Sequence, residues 1–190
     1  MYKRQVLFTA VSLAAQTFAG LVADSVTYDA DTRELLAKGN VVVSYDGTLI
    51  EAASISYNSS TGLLRAVGPL RLTTPDGTVT LASLAELSDD LQTGLIQGAQ
   101  VLLSNNFQIS TPEIRRTGGR FTAFYNVVGS SCQVCAERPV PIWQIRARRV
   151  IHDQDKSRYY FEGATFVALG LPILHMPRLS MPDPTVDRAT

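Results

Sequence analysis

The feature that most constrains this 190-residue chain is that it repeats itself. The stretch "ADSVTYDADTRELLAKGN" (23 to 40) overlays "AASISYNSSTGLLRAVGP" (52 to 69) at an offset of 29 residues: Ala23 on Ala52, Val26 on Ile55, Tyr28 on Tyr57, Asp29 on Asn58 and Gly39 on Gly68. A third copy begins at Ala82 and closes on Gly98, and a later one runs from Ala147 through Val150, His152 and Asp153 to Gly163. A degenerate copy around Thr111, Ile114 and Arg116 lacks the glycine. Self-similarity at this period predicts one supersecondary unit stacked on the next, each too small to bury its apolar face alone.

Each unit reads as β. In "NVVVSY", Val41, Val43 and Tyr45 fall on one side and Val42 and Ser44 on the other, and Leu70 and Leu72 alternate with Arg71. Turn chemistry separates the runs: Tyr45-Asp46-Gly47-Thr48, Asn58 to Gly62, Pro75-Asp76-Gly77-Thr78 and Thr117-Gly118-Gly119. A glycine closing each repeat just before a strand predicts a bulge or tight bend. Stacked pairs of strands give two facing layers with an apolar seam, closed as a sandwich or open as a trough. Small residues on the apolar faces (Ala37, Ala52, Ala53, Ala66, Ala82, Ala99) favour the trough, since they leave room between the walls.

Hydrophobic residues make up 45% of the chain, and 17 basic side chains balance 17 acidic ones, which argues against a polyanionic partner such as nucleic acid. The balance is uneven along the chain, with 6 basic and 10 acidic groups up to residue 110 and 11 and 7 after it. Arg115, Arg116, Arg120, Arg138, Arg146, Arg148 and Arg149 form most of that excess and are expected to solvate a face. At the N-terminus, Lys3 and Arg4 precede an apolar run from Val6 to Ala15 and a small-x-small site at Thr17-Phe18-Ala19, so residues 1–22 are expected to be an export signal.

Export bears on Cys132 and Cys135, the chain's two cysteines, because an oxidising compartment favours a disulfide over metal or catalysis. Zinc would need four ligands, and only His152 and His175 remain to complete the set. A thioredoxin-type site would need a helix after the second cysteine, where this chain has Pro139 and Pro141. Trp143 between Ile142 and Ile145 is expected to anchor the core. His152 takes the framework position of Tyr28 and Tyr57, and Asp153 and Asp155 are expected to be solvated turn residues. No nucleophile–base–orienter set is present in the sequence, and no cofactor is implied.

The segments "LVADSVTYD", "GNVVVSYDG", "GPLRL", "PDGT", "SSCQVC", "PVPIWQIRARRVIHD", "YYFEGATF" and "LPILHMPRLSMPDPTVDRA" resemble the periplasmic N-terminal portion of the LPS-assembly protein LptD family (organic solvent tolerance, OstA), in an alphaproteobacterial form. The resemblance covers nearly everything after the expected signal. It implies an all-β fold, a repeat-built open β-jellyroll or β-taco whose stacked antiparallel strands form a V-shaped trough. It implies a conduit rather than an enzyme: lipopolysaccharide (LPS) acyl chains shielded in the trough at the periplasmic face of the outer membrane and passed to a barrel. The implied partners are LPS, a periplasmic bridge protein docking by edge-strand pairing on Ala23 to Tyr45, and a lipoprotein plug with the barrel itself.

Under that resemblance the domains are 1–22 signal, 23–170 jellyroll and 171–190 a proline-rich connection towards a barrel. The expected groove lining is Val41, Val43, Tyr45, Ile55, Leu64, Leu70, Leu72, Val79, Leu81, Val101 and Leu103. In the family the N-domain cysteines pair with barrel cysteines at long range, whereas Cys132 and Cys135 lie three apart, so both a long-range and a local disulfide stay open. A stand-alone periplasmic bridge or lipid chaperone of the same fold is the first alternative, and a thiol oxidoreductase the second.

Overall fold

Alternation between apolar and polar residues builds long strands here, and one conformational interruption per strand folds them. The computed structural model describes residues 20–103, 107–131 and 141–183. The expected signal up to residue 19 and both cysteines lie outside the described residues. Twelve strands form one antiparallel sheet: β1 (Gly20–Val22), β2 (Ser25–Asp29), β3 (Glu34–Tyr45), β4 (Thr48–Asn58), β5 (Leu63–Thr73), β6 (Val79–Ser88), β7 (Gly94–Leu102), β8 (Gln108–Thr117), β9 (Phe121–Ser130), β10 (Trp143–Asp153), β11 (Arg158–Ala168) and β12 (Leu171–Pro182). From β3 to β12 each strand pairs with the next in sequence, while β1 and β2 both pair with β3. The turns at Asp46-Gly47, Asn58 to Gly62, Asp76-Gly77 and Gly118-Gly119 sit where the sequence places their signals, with φ of 46° and 73° at Asp46 and Gly47.

The repeat glycines line up on a crease. Gly39 and Asn40 in β3, Gly98 in β7 and Gly163 in β11 all have φ between 46° and 77°, and a cis Gly68-Pro69 peptide occupies the same place in β5. The ladder slips at this line between Lys38 and Val41 and again between Val67 and Leu70, the bulge expected from the closing glycines. The degenerate repeat fills the missing glycine with Asn126, φ 52°, since asparagine tolerates the left-handed region better than other side chains. Pairing on either side places Pro112 beside Gly98, Asn126 beside Pro112, and Gly163 beside Arg148.

Bending every strand at one line turns the sheet on itself, so that its two halves become facing walls around a shared core. Val41, Ile50, Leu70, Leu72 and Val101 of one wall belong to the same cluster as Ile55, Leu87, Ile96 and Ile114 of the other. Ile50, Leu87 and Val41 are the largest fully buried side chains, each worth about 1.5–3 kcal/mol of burial. The architecture is an all-β open jellyroll of stacked antiparallel repeats.

Three expectations are corrected here. The small residues do not leave room: Ala37, Ala66 and Ala164 are 0% exposed and Ala99 1%, because alanine is what fits where the walls converge beside the crease. Ala53 is exposed. Residues 171–182, expected in a connecting segment, form β12, paired with β11 from Ala168↔Leu171 to Arg158↔Pro182.

Candidate functional site

The space between the walls changes character along the stack. Around the middle of β4 to β7 it is nearly closed: the gap bordered by Ile50, Leu64, Ala66, Leu70, Leu87 and Ile96 amounts to only 10 Å³. Over β8 to β12 a chamber of 290 Å³ opens between Leu103, Phe107, Ile109, Val127, Gly129, Trp143, Ile145 and Ala147 on one side and Phe124, Val150, Tyr159, Phe161 and Met181 on the other. The one hydroxyl among these side chains belongs to Tyr159. A cavity lined this way stays dry or takes hydrocarbon, since a water inside would find almost no polar partners.

Aromatic side chains frame the chamber. Trp143 lies between Phe107, at 6.2 Å between ring centroids, and Phe166, at 6.1 Å. It was expected as a core anchor, yet it is half-buried and faces the open space.

A second cavity of 420 Å³ adjoins the chamber across Leu103, Phe124 and Tyr159 and forms its polar mouth. Thr74 to Thr78, the β5–β6 turn, borders it from one wall; Arg116, Thr122, His152 and Gln154 border it from the other. His152 stacks on Tyr159 at 4.3 Å and sets Nε2 2.8 Å from an Asp183 carboxylate oxygen. Burial pushes the Tyr159 phenol well above its ordinary range, and the nearby charges of Asp183 and Asp76 add to the rise. The phenol therefore stays neutral at any physiological pH. Burial also pushes the Asp76 carboxyl up, but hydrogen bonds from Thr74 and Thr78 outweigh it and leave the group below the usual carboxylate range.

The expected groove residues divide by this geometry. Val41, Ile55, Leu70, Leu72 and Val101 all face inward, between 1% and 7% exposed, and Leu72 and Val101 border the 420 Å³ cavity. Val43 and Leu64 pack against the same core half-buried. Tyr45 shares the face of Val41 at the rim, 36% exposed. Leu103 alone of the eleven borders the chamber. Leu81 is 46% exposed and Val79 shares its outward face, because Thr80 and Ala82 take the inward positions of β6. A one-residue shift in phase moves a whole strand's set across the sheet.

The aromatic and aliphatic residues of β9 to β11 were not singled out from sequence as lining. Their signal is the aromatic residues Phe124, Tyr159 and Phe161 at positions where earlier repeats carry alanine, leucine or isoleucine, and Trp143 where they carry Thr48 and Thr78. Arg116 was placed with arginines expected to solvate a surface; it instead borders the mouth. Asp153, expected as a solvated turn residue, is 2% exposed and held by Arg120.

Among the described residues no group of three or more His, Cys, Asp or Glu side chains is placed to hold a metal ion. No helix among them is long and apolar enough to cross a membrane. No protein-family model matches the chain, and no curated protein matches it in sequence. A solved structure with a similar fold is that of LptH from Pseudomonas aeruginosa, described as the LptA homologous periplasmic component of the conserved lipopolysaccharide transport device. It aligns with a TM-score of 0.46 at 16% identity, covering 53% of this chain and 76% of that one.

Proposed function

We propose that the chain is a non-enzymatic periplasmic lipid conduit in lipopolysaccharide transport, its creased sheet shielding acyl chains from water while they are passed towards an outer-membrane barrel. The observation that carries this proposal is the 290 Å³ chamber, open between two apolar walls of the creased sheet. Each methylene withdrawn from water there contributes roughly 0.8 kcal/mol, and walls without directional polar contacts let a chain slide. The resemblance of "PVPIWQIRARRVIHD" and its flanking segments to the family of LPS-assembly proteins supports the same reading.

Lipid contact is centred on β8 to β12, and the closely packed part around Ile50, Leu70 and Leu87 serves as a rigid stem. The expected partners follow: LPS in the chamber, a bridge protein on an edge strand of the first repeat, and the barrel with its lipoprotein plug beyond β12. A stand-alone bridge of the same fold is the second reading, favoured by the sheet's edges, which pair with no further strand among the described residues: β2 is exposed at every residue and β12 at nearly all of its length.

Photocrosslinking tests the proposal. A benzophenone amino acid at Phe124, Ile145 or Phe161 is expected to capture LPS in cells, and the same group at the outward Leu81 is not. Capture at Leu81 as efficient as at Phe161, or none at any chamber position, would refute the conduit. Co-purification with a barrel protein or with a bridge protein alone separates the two settings.

A further inference from the structure

We propose that the tip of the β11–β12 hairpin is a docking surface for an anionic lipid bilayer: Leu169, Leu171 and Ile173 enter the headgroup layer, and Arg146 and Arg148 behind them meet its phosphates. This contact lies on the outside of the sheet and does not depend on what the chamber holds. Three observations carry it.

The first is a leucine in a turn that suits other residues. Leu169 and Gly170 close the hairpin at φ of 51° and 83°, close to the 46° and 73° of Asp46 and Gly47 in the β3–β4 turn. Positive φ comes readily to asparagine, aspartate and glycine and at a cost to leucine. Leu91 adopts a φ of 58° too, but it packs against the core. Leu169 is 80% exposed, so no burial offsets its backbone conformation. A side chain both strained and exposed points to a contact outside the chain.

The second is the surroundings of that leucine. From Phe166 to Leu174 the chain carries no charged residue, while the turns at Asp46-Gly47 and Asp76-Gly77 each carry an acid. Leu171, Ile173 and Leu174 are more than half exposed, as is Ile142, whose carbonyl accepts from the Leu169 amide. A protein partner would need a pocket shaped around this protruding tip. A bilayer interface takes apolar side chains without one, and holds them more firmly when basic residues flank them.

The third is charge placed beside the tip. Arg146 alternates with Ile145 and Ala147, which line the chamber, and so points outward. An open groove of 440 Å³ runs on that outer side from Arg146 and Arg148 to Gly170 and Pro172, and no carboxylate lines it among the described residues. Neither arginine makes an ion pair among those residues. Glu162, whose carboxylate feels the charge of Arg148, is held by both arms of Arg149, and Arg178 adds a further positive charge beside it. Arg146 pairs with Thr165, three residues from Ala168 at the strand's end, which sets it about 10 Å behind the tip. A tip entering to the ~5–10 Å depth usual for interfacial elements brings that guanidinium to the phosphates.

The experiment floats the full chain with vesicles of phosphatidylcholine alone, or of phosphatidylcholine with about one-quarter phosphatidylglycerol, at low and high salt. Binding at low salt is expected to be at least roughly tenfold tighter to the anionic vesicles, and about 0.5 M salt to remove the preference. Arg146→Gln together with Arg148→Gln is expected to remove most of it, each arginine contributing roughly fivefold. Leu169→Asn is expected to weaken binding to both vesicles roughly tenfold while the thermal midpoint holds or rises, since asparagine suits the turn. A leucine with a merely structural role would do the reverse, lowering the midpoint and leaving binding intact.

If the wild-type chain binds neither vesicle, or both equally at low salt, the docking surface is overturned, and a protein socket is left as the partner of the tip. Folded Leu169→Asn that binds as wild type does overturns it as well. The chamber is read separately, by LPS crosslinking at Phe161, so its failure and this one are distinguishable. The wild-type comparison of the two vesicles needs no variant and decides even if a variant does not fold.

Discussion

Arg120 grips Asp153 with both arms: its Nε and one terminal nitrogen each lie 3.1 Å from a different carboxylate oxygen. The pair ties the β8–β9 turn to the β10–β11 turn, 33 residues away in sequence, and Asp155 comes within 3.2 Å of the same guanidinium. Hydrogen bonding from Arg120 holds the Asp153 carboxyl below the usual range. Its contribution to stability is therefore present above the unfolded-state value of about 4 and is lost as pH falls through the lower folded value. Arg120→Ala is expected to lower the thermal midpoint at neutral pH and to flatten the acid limb of a midpoint-against-pH profile. An unchanged acid limb would show that the pair does not hold the turns together.

The crease predicts opposite responses to similar changes. Gly98 has φ of 61°, and an added Cβ would lie 2.8 Å from the Ser83 hydroxyl oxygen. Gly98→Ala should cost about 1 kcal/mol or more in urea unfolding. Asn126 sits at φ 52° in the equivalent place, so Asn126→Gly should be neutral within about 0.5 kcal/mol and Asn126→Val clearly destabilising.

Phase along a strand gives a third prediction. Ile50 is 2% exposed in the filled stem, and truncation to alanine should cost about 2–5 kcal/mol. Leu81→Ser, on the outer face, should change stability by no more than about 0.5 kcal/mol. Denaturation midpoints of the two variants decide whether the inward set of β6 is Thr80 and Ala82.

Filling the chamber should separate lipid handling from folding. Val127 lies on its wall beside the crease, and Val127→Phe places a ring in the empty volume. LPS crosslinking at Phe161 is expected to fall severalfold while the thermal midpoint holds or rises. A lower midpoint with crosslinking intact would mean that the space is not available to ligand.

Much of the fold was legible because its causes are local. The repeat glycines fell on the crease, as a residue that must adopt positive φ is visible in the sequence wherever glycine is the cheapest solution. Asn126 hid the same bend because a second residue type can perform it. The alanines misled for a different reason: a small inward side chain reads the same whether walls converge on it or stand apart, and at Ala66 and Ala164 they converge. Val79 and Leu81 misled through phase, since a strand following a turn offers two alternations and only pairing with β5 and β7 selects one.

By itself, then, the sequence determined that the chain is β-built, that its units repeat near every 29 residues, and where each unit turns and bends. Those are properties of short segments and act through backbone sterics and alternation. Only the tertiary structure decided that the walls close around Ile50, Leu70 and Leu87 and leave a chamber over β8 to β12, that Arg116 faces the second cavity, and that Asp153 is buried against Arg120. Each depends on the distance between residues dozens of positions apart, which is set by how the creased strands stack.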